Sequence, residues 1–280
     1  MVNEPPLIPE QRRERIVGLL RRNSVLGYRQ LAAELGVSHM TVRRDITVLE
    51  ELGRVTATPG GARIVTRMAS EPPRTAKSGA DLTEKDAMAR TAASMVTDSM
   101  TIYLDAGTTL QPMRTHLDAV EDLTVVTNDL VIASAFLDHP TIDLIIVGGR
   151  VEKQNQSTVG RIPALTLREV SLDIAFLTTS SWDARRGVTI PTESKVDPKR
   201  AAMHAASSTV LVAASSKYGT FGRYRVADLG ELDLIVTDDL LDEDALAQVR
   251  EQGVEVERAR TADARLADER AVRDRAAVAP

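Results

Sequence analysis

Residues 36–53 prescribe their local structure more tightly than any other part of the chain. Gly36-Val37 make a tight turn, Ser38 is a good helix N-cap, and a helix over 39–52 follows, ended by Gly53. Val42, Ile46 and Leu49 recur at i, i+4 and i+7, so one face of that helix must meet a core. His39, Thr41, Arg43, Arg44 and Thr47 fall mostly on the other face. Two helices precede it. The first, over 10–22, places Ile16, Leu19 and Leu20 on one side; the second, over 28–35, has Leu31, Ala32 and Leu35 as its apolar stripe. Two β-prone runs, 54–58 and 62–65, flank Pro59-Gly60-Gly61 and read as a hairpin. Three helices closed by a hairpin make a winged helix-turn-helix.

Net charge over the whole chain is −5, which by itself speaks against a nucleic-acid binder. Its distribution speaks the other way. Residues 10–65 carry ten arginines against six carboxylates, a balance of +4 that leaves −9 for the rest. Such asymmetry between halves hints at nucleic-acid contact, although a solvated arginine face would look the same. Arginine can fork onto a guanine edge or pair with phosphate, and Ser, Thr and His can reach phosphates or base edges. In helix-turn-helix docking the start of the second motif helix enters the major groove. Ser38, His39, Thr41, Arg43, Arg44 and Thr47 are therefore the candidate DNA contacts. Tyr28, Arg29 and Gln30, opening the preceding helix, are candidates for the DNA backbone.

The run Leu31-Ala32…Leu35-Gly36-Val37-Ser38…Thr41-Val42-Arg43-Arg44-Asp45-Ile46…Leu49-Glu50…Gly53…Gly60-Gly61-Ala62 resembles the DNA-binding domain of the DeoR family of bacterial regulators. The Ser-x-x-Thr-Val-Arg-Arg-Asp core is the most specific part. One departure stands out. Relatives often carry basic residues in the first wing strand, and here it reads Val55-Thr56-Ala57-Thr58. Arg54 and Arg63 are the basic residues nearby.

Residues 66–79 show no apolar periodicity and read as a linker. From about residue 80 the pattern changes to apolar runs alternating with helical ones. Candidate strands are 100–104, 123–127, 142–147, 173–177, 209–213 and 233–236, with helices around 83–97, 109–120, 129–138, 161–170, 193–207 and 240–252. Nearly continuous apolar strands, each followed by a helix, point to a mostly parallel sheet covered on both faces. The expected architecture is α/β: an N-terminal winged helix-turn-helix (1–65), the linker, a larger mostly parallel α/β domain (80–258), and an Ala/Arg/Asp-rich tail (259–280).

Ligands of open α/β sheets bind at the carboxyl ends of strands. Four such ends here carry small, polar or basic residues: Asp105-Ala106-Gly107-Thr108-Thr109, Thr127-Asn128, Gly148-Gly149-Arg150 and Ser215-Ser216-Lys217. A glycine followed by hydroxyl residues at a helix start would offer N–H groups to a phosphate, and Lys217 could neutralise one; an ordinary capped helix and a solvated lysine read equally well. Trp182 could stack on a sugar or pack in the core. Glu193, Lys195 and Lys199 read first as a solvated charged face, with a pocket contact as the alternative.

The order of these segments resembles the DeoR-family C-terminal sensor, a domain similar in fold to ribose-5-phosphate isomerase. The resemblance implies a phosphorylated-sugar effector held by Asp105, Gly107, Thr108, Thr109, Thr127, Asn128, Gly148, Gly149 and Lys217. Two departures are Ala214, where many relatives carry Asp, and the run 178–183. The resemblance also implies a repressor of carbohydrate-metabolism genes, with double-stranded DNA as partner and a homo-oligomer, dimer or tetramer, as the working form. A sugar-phosphate isomerase-like enzyme and an adaptor without DNA binding are the alternatives. The isomerase's acidic run is not matched by 173–183, so no catalytic residue is expected.

The chain has no cysteine, and His39, His116, His139 and His204 are scattered, so neither a metal nor another cofactor is expected. With no basic-then-apolar start and no long apolar run, neither a signal peptide nor a membrane span is expected, and the cytoplasm is the expected location.

Overall fold

The computed structural model describes residues 7–52 and 54–261. Gly53, read as the stop of the third helix, and the tail from 262 onward lie outside the described residues. The chain forms two compact units. One comprises the residues up to Arg67 together with Gly219–Phe221; the other comprises Met68–Tyr218 and the residues from Gly222 on.

The first unit contains α1 (Pro9–Asn23), β1 (Val25–Gly27), α2 (Tyr28–Leu35), α3 (His39–Glu51), β2 (Val55–Thr58), β3 (Gly61–Ile64) and β4 (Thr66–Arg67). The expected helices and hairpin are all present. The three-residue β1 is additional: it pairs antiparallel with β3 and gives a sheet of order β1-β3-β2. Ile16 and Leu20 from α1, Leu31 from α2, and Val42, Ile46 and Leu49 from α3 close one apolar core with Val55 and Ala62 of the hairpin. Asp45 is also buried on α3, where it accepts two hydrogen bonds from Arg12 of α1, at 2.5 and 3.2 Å. This pair locks α3 onto α1, so Asp45 belongs to the scaffold.

The second unit begins with α4 (Arg74–Ser78) and α5 (Leu82–Ala93). Its seven-stranded sheet is built from β5 (Thr101–Leu104), β6 (Thr124–Thr127), β7 (Asp143–Ile146), β10 (Leu172–Leu177), β13 (Ala206–Val212), β16 (Leu234–Asp238) and β17 (Glu255–Ala259). All its pairings are parallel, in the order β17-β16-β13-β10-β5-β6-β7. Around it lie α6 (Leu130–Phe136), α7 (Arg161–Leu167), α8 (Val196–Ala205) and α9 (Glu243–Arg250). Short strands β8 (Arg150–Glu152) with β9 (Ser157–Val159), and β11 (Ser181–Asp183) with β12 (Gly187–Ile190) and β15 (Tyr224–Ala227), form side hairpins and ribbons. The two-residue β14 (Thr220–Phe221) pairs with β4 and counts with the first unit.

Alternation along the strands sorts side chains into two cores, one per face. Ile102, Leu104, Ile174, Phe176, Val210 and Val212 pack with α5 and α6. Tyr103, Ala175, Leu177, Leu211 and Ala213 pack with α8 and α9, and Trp182 belongs to this second core. Trp182 is fully buried and donates its indole N–H to the Ala214 carbonyl, so it packs rather than stacks on a ligand. The expected helix over 109–120 is instead a six-residue 3-10 stretch, Gln111–His116, with a proline in its first turn. The stretch read as a linker holds α4, and Arg74 within it is buried against Asp129. Among the described residues no helix is long and apolar enough to cross a membrane.

Gly61 marks where the wing has no room. A Cβ there would lie 2.4 Å from the Leu26 carbonyl oxygen and 2.9 Å from the Gly27 Cα. Gly61→Ala must therefore push β1 from β3, at a cost of about 1–3 kcal/mol. Urea unfolding followed on the first unit should show that loss of stability.

Candidate DNA-reading face and effector cavity

The exposed face of α3 is assembled from its N-cap outward. Ser38 Oγ accepts the Thr41 backbone N–H at 3.1 Å and lies 2.8 Å from Thr41 Oγ1, which fixes the first turn. With Val42, Ile46 and Leu49 turned inward, His39, Met40, Arg43, Arg44 and Thr47 are left exposed. Tyr28 has a different place from the one expected. It is buried, with the His39 ring edge-on at 5.4 Å and the Arg43 guanidinium over its face at 5.4 Å. It is a platform that orients two groups of the face. Gln30 caps α2 by accepting the Gly27 N–H at 3.0 Å, and Arg29 beside it is exposed. Arg54, one of the two basic residues near the wing, is paired with Glu14 on α1.

In the second unit, successive strands are spatial neighbours except at one place. β5 and β10 lie side by side, and the order runs away from them in both directions. Loops leaving such a pair diverge and open a crevice. A cavity of about 160 Å³ lies there. Its wall includes Ala106, Gly107, Thr108 and Thr109 after β5, Thr178, Thr179 and Ser180 after β10, and Lys77, Lys195, Lys199 and Lys217. Asp105 stands behind this wall. Its Oδ2 accepts the Thr178 N–H at 2.9 Å and the Thr178 hydroxyl at 3.2 Å, and it pairs with Lys199, which also donates to the Thr178 carbonyl at 2.8 Å.

Of the residues expected to hold an effector, Gly107, Thr108, Thr109 and Lys217 line the cavity and Asp105 braces it. Thr127 and Asn128 do not line it. The Thr127 hydroxyl donates to the Leu104 carbonyl, and Asn128 joins the Tyr103 hydroxyl to the Thr158 carbonyl. Gly148 and Gly149 are also outside the wall, and Gly149 packs on Pro163. The Gly107 N–H is taken by Asp129 at 3.0 Å, and no α-helix starts after Thr109. Of that expected set, Thr108, Thr109 and Lys217 are the polar side chains that line the cavity.

Lys195 and Lys199, which read as a solvated face, are wall residues; Glu71 and Lys77, from the stretch read as a linker, carried no signal in the sequence. Their partners lie far along the chain, so no local pattern marks them. Glu71 pairs with Lys77 and with Lys195, the latter at 2.5 Å, and Lys195 also meets Glu152 at 2.8 Å. Burial would raise the Glu71 pKa, but Lys195 and Lys77 outweigh it and hold it at about 2. Lys217 donates to the Thr179 carbonyl at 2.8 Å. Burial, reinforced by Lys77, pulls its pKa down to about 8. Among the described residues no cluster of three side chains suited to a metal ion occurs.

The profile of the DeoR-like helix-turn-helix domain matches residues 12–68, and that of the DeoR C-terminal sensor domain matches 80–239. The chain belongs to the DeoR family. It is a DNA-binding transcription regulator and not an enzyme. An uncharacterized HTH-type transcriptional regulator of Haemophilus influenzae is 40% identical over 90% of this chain and 98% of its own length. The uncharacterized regulator YgbI of Escherichia coli is 41% identical over 85% and 93%. The transcriptional repressor GlcR of Bacillus subtilis is 31% identical over 88% and 95%. Ribose 5-phosphate isomerase A of Methanocaldococcus jannaschii aligns with a TM-score of 0.35 and 16% identity, over 48% of this chain and 53% of that one. So loose a likeness carries no argument.

Lys217 supplies a direct test of the cavity's charge. Between about pH 8 and its unfolded-state value near 10.5 the folded chain keeps it neutral; below that window its charge opposes folding. Lys217→Met removes that opposition, so its stabilising effect should be full at neutral pH and vanish as pH rises through that window. Denaturant unfolding across pH checks this, and no pH-dependent difference would contradict it.

Proposed function

We propose that this regulator represses genes of carbohydrate metabolism and releases its DNA when a phosphorylated sugar enters the cavity. The observation that carries the reading is the four-lysine wall, with Thr108 and Thr109, at the one point where the parallel sheet reverses its order. A phosphoryl group meets complementary charge there, and the hydroxyls offer hydrogen bonds to it or to the sugar. That the relative GlcR of Bacillus subtilis is a transcriptional repressor supports the direction of control.

DNA reading falls to Ser38, His39, Thr41, Arg43, Arg44 and Thr47, with Arg29 and Gln30 beside the backbone and Tyr28 holding His39 and Arg43 in place. Asp105, Gly107, Thr108, Thr109 and Lys217 form the effector end. Thr127, Asn128, Gly148 and Gly149 act through the loops they brace. The working form is a homo-oligomer in the cytoplasm, whose paired α3 helices need half-sites whole helical turns apart. The effector acts through its differential affinity for the DNA-bound and released forms.

The DNA half is tested by gel shift on the segment upstream of the chain's own gene. Arg43→Ala and Arg44→Ala should each weaken the specific complex by about 1–3 kcal/mol, with folding intact because both side chains are exposed. An unchanged specific shift in the double variant would overturn the assignment. Thermal-shift screening tests the sensor half: phosphorylated sugars should stabilise the wild type and not Lys217→Met. Stabilisation by free sugars instead would overturn it.

A further inference from the structure

Glu71 is a carboxylate inside a cavity that the preceding reading assigns to an anion, and the inference here rests on that reading. Its Oε1 meets Lys77 Nζ, and its Oε2 meets Lys195 Nζ at 2.5 Å and accepts from Asn155 Nδ2 at 3.3 Å. The same asparagine binds Lys77 Nζ at 2.7 Å and Glu152 Oε2 at 3.1 Å. Two of the four wall lysines are thus already occupied by Glu71, and a third, Lys199, by Asp105. Glu71 also sits on a short tether. Its carbonyl accepts from Gln154, and three residues on, the Arg74 N–H bonds the Gln154 carbonyl at 3.1 Å.

We propose that Glu71 is a resident monoanion that makes the cavity selective for dianionic ligands. A ligand carrying one negative charge would only exchange one carboxylate for another at Lys77 and Lys195, with no electrostatic gain. It would also have to break the Asn155 contact. A dianion doubles the attraction at the same distance, which offsets the cost of expelling Glu71. A phosphoryl or sulfate group meets this condition; a simple carboxylate does not. Expulsion of Glu71 also loosens the segment from Glu71 to Lys77, whose backbone bonds run to Gln154 and Pro73.

The test is calorimetric titration of the full chain and of Glu71→Gln at neutral pH with sulfate, with methyl phosphate, a monoester that is mostly dianionic there, and with acetate. Wild type should bind the two dianions and ignore acetate. Glu71→Gln should bind acetate as well, and its Kd for sulfate should fall about tenfold, in the usual range of coupling between sites. An unchanged preference, or weaker sulfate binding by the variant, would overturn the proposal and make Glu71 a fixed part of the wall. If neither chain binds any anion, the effector-cavity reading fails and this one with it. Hydrogen exchange on wild type covers a variant that does not fold. Sulfate should speed exchange at the amides of Arg74, Ala76 and Lys77, whereas unchanged or slower exchange would contradict the expulsion of Glu71.

Discussion

A parallel sheet covered on both faces offers few openings, and its strand order decides where they fall. In the second unit the order reverses between β5 and β10, so the loops that follow these two strands part. Asp105 sits just past one strand and Thr178 just past the other. The Asp105 carboxylate bridges them and holds Lys199 in the same contact. The cavity, its lysines and the loop Ala106–Thr109 all depend on that junction. Gly107 shows how close the two loops come, since a Cβ there would lie 2.8 Å from Thr178 Oγ1.

Charge around the cavity is arranged in layers. Lys199 is met by Asp105, and Lys77 and Lys195 by Glu71 and Glu152. Burial and the neighbouring lysines weigh on Lys217 enough to bring its pKa near the physiological range. Such a site gains from an incoming dianion, which would relieve that repulsion. The first unit uses charge differently. Arg43 and Arg44 stay exposed, while the buried Arg12–Asp45 pair holds the helix that carries them.

Much of this was legible in the sequence where the signal is local. The apolar stripe Val42, Ile46, Leu49 and the Ser38 cap define α3 within 13 residues of chain. Six of the seven sheet strands read as apolar runs. β17 escaped because its exposed edge carries Glu255, Glu257 and Arg258, which break any apolar pattern. β1 escaped because three residues hold no periodicity. The cavity was half legible. Strand ends pointed to residues 105–109 and to Lys217, but Lys195 and Lys199 read as solvated and Glu71 as linker. A charged side chain is buried only with a partner. Here those partners lie 94 positions away for Lys199–Asp105 and 124 for Lys195–Glu71.

Two sites on one chain control each other only through a coupling free energy, and that coupling is reciprocal. The most direct measurement is therefore the affinity for operator DNA with and without a phosphorylated sugar that binds the cavity, paired with the affinity for that sugar with and without DNA. The sugar should weaken DNA binding, and DNA should weaken sugar binding by the same factor. DNA affinity unaffected by a bound phosphorylated sugar would contradict it.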